Sequence, residues 1–305
     1  MSKVIAILCA DLHLSHTPPI ARSVEKSWYA AQGRYLEQLR ELAEKPKVPI
    51  VCAGDVFDRW QSCPELINWA IKHLPMMYAI PGQHDLPHHS LDEINKSAYW
   101  TLVEAKIGNV HWEDRLTVWT RIPGLVLYGF PWGKQISPVE SRGGNVLRIA
   151  VAHRYIWTQG KQYAGASNDS HWSSFRKQLN GYDVAVFGDN HKPFEIETKD
   201  CLIFNCGCLI PRSADERNHR PSVGLLYDDK HIERHYLDIS QDKWLDLPEQ
   251  EMWRAQENEK LTKFLDDLKT LGSTALDFHR AVLRFMDENE VDDGVRKALL
   301  EAIGE

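Results

Sequence analysis

The stretch Val4-Ile5-Ala6-Ile7-Leu8-Cys9-Ala10-Asp11-Leu12-His13 decides the architecture. A short apolar run rich in β-branched side chains reads as a buried strand, here over Lys3–Cys9. It leads directly into a carboxylate and an imidazole two residues apart, which emerge together where the strand ends. Open α/β sheets build their sites at strand ends. Taken alone, Asp-x-His reads better as a turn carboxylate beside an incidental surface histidine.

The same arrangement recurs downstream. Ile50–Cys52 ends in Gly54-Asp55-Val56-Phe57-Asp58, and Met76–Ile80 ends in Pro81-Gly82-Gln83-His84-Asp85. His153 follows the run Leu147–Ala152, and Gly188-Asp189-Asn190-His191 follows Val184–Phe187. Each cluster has a plainer reading by itself: Asp55 as the cap of a following helix, His153 as a core histidine. Five such clusters, each after an apolar strand, are hard to explain as separate accidents. Gathered at one edge they supply the oxygen and nitrogen ligands that hard or borderline metals take.

Between the early strands lie helical patterns over Arg22–Leu42, Pro64–His73 and Ser97–Ala105. Further strands are predicted at Val110–Trp112, Leu116–Thr120, Leu125–Tyr128, Phe194–Glu197, Leu202–Asn205, Val223–Tyr227 and Ile232–Tyr236. This alternation predicts a layered α/β fold of two packed mixed β-sheets flanked by helices. From about Pro248 the texture changes to charged helix, with apolar stripes Leu261, Phe264, Leu265, Leu268 and Phe278, Ala281, Val282, Phe285, then Val295, Leu299, Leu300, Ile303. The expected division is therefore 1–240 for the sheets and 241–305 for a C-terminal helical appendage.

Hydrophobic content of 43% with 26% charged residues in a 305-residue chain is that of a globular protein with a sizeable core, not of a disordered one. No apolar run approaches the roughly 20 residues of a membrane span. Met1–Cys9 lacks the basic flank and cleavage site of a leader, so the expected location is cytoplasmic. Six cysteines lie mostly in strand-like runs without zinc-type spacing, as buried thiols would. A net charge of −7 argues mildly against a broad grip on nucleic acid. A carboxylate-built site, however, is acidic until its metals arrive.

In this order, Asp11-x-His13, Gly54-Asp55-x-x-Asp58, Gly82-Gln83-His84-Asp85, His153 and Gly188-Asp189-x-His191 resemble the motifs of the calcineurin-like metallophosphoesterase superfamily. Those motifs read Asp-x-His, Gly-Asp-x-x-Asp, Gly-Asn-His-Asp, His and Gly-His-x-His. Within that superfamily Gly54–Asp58, Pro131-Trp132 and Gly207–Arg212 resemble SbcD-type DNA repair nucleases and their phage counterparts. The resemblance implies that Asp11, His13 and His191 hold one metal, that Gln83, His153 and Asp189 hold the other, and that Asp55 bridges. It leaves His84 unligated beside the phosphate as the catalytic residue, with Asp58 and Asp85 orienting their neighbours. Two positions depart from the family: Gln83 stands where asparagine is usual and Asp189 where histidine is usual. Both changes make the second metal's site harder, which favours Mn2+, or Mg2+, over Zn2+. Alternatively Asn190 supplies that oxygen.

The function implied is a Mn2+-dependent DNA nuclease, exonuclease or endonuclease, that hydrolyses phosphodiester bonds by metal-activated hydroxide. The alternatives are a small-nucleotide phosphodiesterase or phosphatase, and a non-catalytic metal-binding scaffold. Arg59 and Trp60 follow the second motif, and Tyr155, Trp157, Tyr163 and His171 follow the fourth; they either stack bases or anchor their loops. Arg212, with Arg217, His219 and Arg220, either clamps phosphate or belongs to a solvated loop. His88 and His89 match no ligand position. The C-terminal stripes read as core, while the resemblance implies docking of a partner ATPase or of a second copy of the chain.

Overall fold

The computed structural model describes residues 2–105, 118–119, 124–139, 146–163, 166–246, 296–297 and 300. In chain order the strands are β1 (Val4–Cys9), β2 (Ile50–Cys52), β3 (Met77–Ala79), β4 (Val118–Trp119), β5 (Leu125–Phe130), β6 (Leu147–His153), β7 (Val184–Gly188), β8 (Phe194–Glu197), β9 (Leu202–Asn205), β10 (Ser222–Tyr227) and β11 (Ile232–Tyr236). They form two mixed sheets, in the order β11-β10-β1-β2-β3 and β4-β5-β6-β7-β9-β8.

Three helices connect the early strands: α1 (Trp28–Glu44), α2 (Pro64–His73) and α3 (Ala98–Glu104). A predicted start at Arg22 gives way to a later one. Ile20–Arg22 is a separate 3-10 turn, and α1 begins where the Ser27 hydroxyl accepts the Ala30 amide at 3.2 Å. α2 opens on Pro64, whose missing N–H costs nothing at that position, and Ser97 caps α3 through the Trp100 amide.

β1 pairs in parallel with β2, and β2 with β3, with helices as crossovers. β5, β6 and β7 are likewise parallel neighbours. Parallel strands end at the same edge, so the turns after β1, β2 and β3, and those after β6 and β7, gather in two groups.

Strand alternation fills both faces of the first sheet. In β1, Ile7 and Cys9 pack with α1, α2 and α3, while Ala6 and Leu8 face Ile149, Val151, Val184 and Val186 of the second sheet. The outer face of the second sheet is covered by Phe175, Leu179 and Tyr182. All six cysteines are free, and five of them are buried.

The chain divides into two compact units, Met1–Trp244 and Leu245–Glu305. Gln241 and Asp242 are held by Arg34 and Tyr35 of α1, which keeps this stretch with the sheets. The predicted strand Val110–Trp112, most of Leu116–Thr120 and the predicted helical stripes from Leu261 to Phe285 lie outside the described residues. Arg296, Lys297 and Leu300 are helical. Among the described residues no helix is long and apolar enough to cross a membrane.

Candidate metal centre

The turns that carry the predicted ligands are bent into unusual backbone. Asp11 (φ 55°), His13 (φ 46°), Asp55 (φ 52°) and Asp189 (φ 78°) all occupy the left-handed region, at a typical cost of about 1–3 kcal/mol each. Neighbouring backbone over-determines them: the Asp11 amide donates to Gly54 O at 3.0 Å and the His13 amide to Asp55 O at 3.0 Å. Two glycines permit the crowding. A Cβ on Gly54, itself at φ 100°, would overlap the His153 ring, and one on Gly82 would overlap the Asp55 carboxylate.

Four groups of potential ligands result among the described residues, of which His13, Asp58 and His84, and His191, Cys208 and Glu216, flank the two that contain Asp11. Asp11, His13 and His191 place their ligand atoms within 4.8 Å of one another, and so do Asp11, Asp55 and His153. His13 Nε2 lies 3.2 Å from His191 Nε2. Asp55 Oδ2 lies 3.6 Å from His13 Nε2 and 3.3 Å from His153 Nε2, between the two clusters. Gln83 and Asp189 meet beside them, with Gln83 Nε2 donating to Asp189 Oδ1 at 2.8 Å.

Several atoms at this convergence are buried without a hydrogen-bond partner: Asp55 Oδ2, His153 Nε2, Gln83 Oε1 and His13 Nδ1. Buried polar atoms are almost always satisfied. Three of these four are the atoms a cation would take, an anionic oxygen, an amide oxygen and an imidazole nitrogen. The donor set therefore fits a pair of divalent ions.

The imidazoles are held from behind. His153 Nδ1 donates to Ala53 O at 2.6 Å, His191 Nδ1 to Glu216 Oε1 at 2.7 Å, and His84 Nδ1 to Asp58 O at 2.8 Å. A donor bond at Nδ1 leaves the Nε2 lone pair turned inward, as ligating histidines require. Asp58 lies 3.7 Å from His13 Nδ1 and pairs with the Arg212 guanidinium.

Asp85 serves the backbone instead of an imidazole. Its carboxylate takes the amides of Val56 (3.1 Å), Phe57 (2.9 Å) and Gly82 (3.0 Å), tying the second and third motifs together. The Asn190 side chain is spent on Ile156 O at 2.8 Å, Lys161 O at 3.1 Å and the Lys192 amide at 3.0 Å, whereas Asp189 stands beside Gln83.

A family model for calcineurin-like phosphoesterases matches residues 6–193, which span these turns. The chain belongs to that family. It is thus a metal-dependent phosphoesterase. A search of curated proteins returned no match. Solved structures similar to the chain include an archaeal phosphodiesterase (13% identity, 78% of this chain and 100% of that one, TM-score 0.40). A dimetal phosphatase from Danio rerio (11%, 77% and 99%, TM-score 0.46) and a metallophosphoesterase from Sphaerobacter thermophilus (12%, 78% and 90%, TM-score 0.34) are also similar.

Electrostatics in this phosphoesterase follow from packing acids and imidazoles into one dry place. Burial pushes Asp11 up to about 7, with Asp55 adding to the effect. Burial acts the same way on Asp55, but His153 and His84 outweigh it and hold that carboxyl below its usual range. His191 is raised to about 9 because its bond to Glu216 and the charge of Asp11 overcome burial. Glu216 is held low by the same bond. Without cations, protons occupy the cluster, and cations would displace them.

Glu216 had no signal as a site residue. Ser213 to Glu216 forms a capping box, and from the sequence that pattern announces only a helix start. Its Oε2 takes the Arg212 and Ser213 amides while Oε1 reaches His191. Of the residues predicted to touch substrate, Arg59 is exposed. Trp60 is half-buried, its ring 6.0 Å from that of His88. Tyr155 and Tyr163 are ring neighbours at 4.8 Å, and Tyr163 is 55% exposed. Their loop is stitched to the ligand turn by Asn190 at Lys161 O and by Lys192 Nζ at Gln162 O, 2.8 Å away. Trp157 and His171 form a second pair at 4.7 Å in the same segment.

Proposed function

We propose that this phosphoesterase is a Mn2+-dependent DNA nuclease acting on strand ends or single strands. The observation that carries the reading is Tyr163, an exposed ring on a loop tied to the turn that carries Asp189 and His191. A rigid aromatic surface beside a phosphate site favours a substrate whose bases can unstack onto it, and stacking of this kind contributes about 1–3 kcal/mol per base.

In this reading Asp11, His13 and His191 hold one ion, Gln83, His153 and Asp189 the second, and Asp55 both. When bound, the ions polarise the phosphoryl oxygens, acidify water and hold the in-line geometry. Gln83 and Asp189 contribute oxygens to the second site, which favours Mn2+ over Zn2+. Glu216, Ala53 O and Asp58 O fix the rings of His191, His153 and His84. His84, bonded through Nδ1 to Asp58 O, presents Nε2 and in its protonated form donates to the departing sugar oxygen. Arg59, Trp60 and Arg212 are assigned to substrate contact. The C-terminal unit is assigned to docking a partner ATPase or a second copy, in the cytoplasm.

The test is hydrolysis by metal-stripped protein given Mn2+, Mg2+ or Zn2+ separately, with end-labelled single- and double-stranded DNA and with cyclic dinucleotides as substrates. Mn2+-stimulated shortening of DNA is expected. Cleavage of cyclic dinucleotides alone would replace this reading with a small-nucleotide phosphodiesterase. Metal binding without any hydrolysis would leave a scaffold.

A further inference from the structure

Arg22 lies outside every motif, yet it is the bulkiest fully buried side chain in the described protein, with no exposure. A charge in that position must be paired and bonded. Nη2 meets Glu25 Oε1 at 2.7 Å and Asp242 Oδ1 at 3.1 Å. The guanidinium sits 5.5 Å from the Trp28 ring and 4.8 Å from the Trp244 ring. Glu25 also takes the Lys243 amide at 2.9 Å, and the Tyr35 hydroxyl bonds Asp242. Arg22 thus gathers the last residues of the first unit, Asp242–Trp244, from which the C-terminal unit continues.

Its other terminal nitrogen, Nη1, reaches the other way and donates to Pro211 O at 2.9 Å. That carbonyl belongs to the peptide whose amide is Arg212 N. Arg212 N donates to Glu216 Oε2 at 2.8 Å, and Glu216 Oε1 accepts from His191 Nδ1 at 2.7 Å. The Arg212 side chain pairs with Asp58, which stands 3.7 Å from His13 Nδ1 and holds the His84 ring through its carbonyl. In the same loop the Leu209 amide donates to Asp11 O at 3.1 Å. One rigid guanidinium therefore pins the peptide whose amide holds Glu216, the residue that orients the predicted ligand His191 from behind.

We propose that Arg22 is a positioning residue for the metal centre, and that the chain's exit segment Asp242–Trp244 sets metal affinity through it. This rests on the reading of His191 as a ligand, but not on DNA as the substrate. A chain of contacts is not itself a demonstration of coupling, so a double-mutant cycle with metal affinity as the readout is the test.

In full-length protein, Mn2+ affinity is measured calorimetrically for the parent, Arg22→Lys, Glu216→Gln and the double variant, with circular dichroism reporting the fold. Lysine keeps the charge but cannot reach two carboxylates and a carbonyl together. Arg22→Lys is expected to weaken Mn2+ binding about tenfold, as loss of a partner behind a ligand does, at unchanged helix content. In the Glu216→Gln background it should add less than about twofold, because the single amide oxygen of glutamine cannot accept from both His191 Nδ1 and the Arg212 amide, and the route is already cut. Asp242→Asn, on the far side of Arg22, should weaken Mn2+ in the same direction and with the same dependence on Glu216. Wild-type affinity in Arg22→Lys, or additive losses in the cycle, would overturn the proposal, since a purely structural arginine lowers stability without that dependence. If Arg22→Lys does not fold, the Asp242→Asn cycle decides by the same criterion. A parent that binds Mn2+ but leaves DNA intact sinks the nuclease reading and leaves this one standing.

Discussion

Gln83 Nε2 donates to Asp189 Oδ1 over 2.8 Å, so the two residues at which the chain departs from its family's usual motifs touch each other. The contact occupies the amide nitrogen and leaves the amide oxygen, Gln83 Oε1, buried and unpartnered. The longer glutamine arm and the shorter carboxylate therefore act as one unit. A change at one of them alters what the other can reach.

Gln83→Asn together with Asp189→His should accordingly move the metal preference from Mn2+ toward Zn2+, since a softer nitrogen replaces a hard oxygen. Each single variant should bind either ion more weakly than the double variant does. Metal content and activity after reconstitution with each ion check this; equal Mn2+ preference in parent and double variant would remove these residues from the ligand set.

Asp55 Oδ2 faces both clusters, so Asp55→Asn should lower the affinity of both ions and abolish turnover. A loss of at least about 10–100-fold in metal affinity is expected, the range seen even for residues behind a ligand. Retained stoichiometric binding of two Mn2+ would rule out the bridging role.

His84 lies within the site with its Nδ1 committed to Asp58 O, which fixes the ring and leaves Nε2 as the nitrogen that can reach the departing oxygen. His84→Ala should slow DNA cleavage by about 10²- to 10⁴-fold, the usual size of general-acid catalysis. Metal content should stay unchanged, as should the rate on an aryl phosphodiester whose leaving group needs no proton. Equal losses on both substrates would remove the leaving-group role.

Metal uptake should be pH-dependent with a definite sign. In the metal-free protein Asp11 holds its proton up to about pH 7 and His191 up to about pH 9. Protons bound below those values compete with the cation, so Mn2+ affinity should climb as pH rises from 6 to 9, with proton release on binding. Calorimetry in buffers of different ionisation enthalpy measures that release; affinity that is flat across this range would contradict it.

Glu216→Gln keeps an acceptor for His191 Nδ1 but removes its charge. Mn2+ affinity should fall by about 10–100-fold, and the rise with pH near 9 should shift to lower pH, because the group that elevates His191 is gone. An unshifted profile would show that Glu216 only caps the turn at Ser213.

The sheets and the ligand turns were legible because their signals are local. Val4–Cys9 is a buried strand whatever follows it, and Asp11 and His13 come with it because they are its next residues. Only the packed site shows that the His153 ring and the Asp55 carboxylate fill the space that the missing Cβ atoms of Gly54 and Gly82 leave. Helical periodicity extends back to Arg22, whereas α1 begins at Trp28, where the Ser27 side chain caps it.

Sequence alone determined which residues stand at strand ends and hence the candidate ligands, because strand alternation and turn geometry act over a few residues. Tertiary structure alone decided what holds those ligands in place. Glu216 reaches His191 across 25 positions, Arg212 reaches Asp58 across 154, and Arg22 reaches Pro211 across 189. Such partners are chosen by how two sheets and a returning chain pack, since a buried charge takes whichever carbonyl or carboxylate the fold delivers within bonding distance.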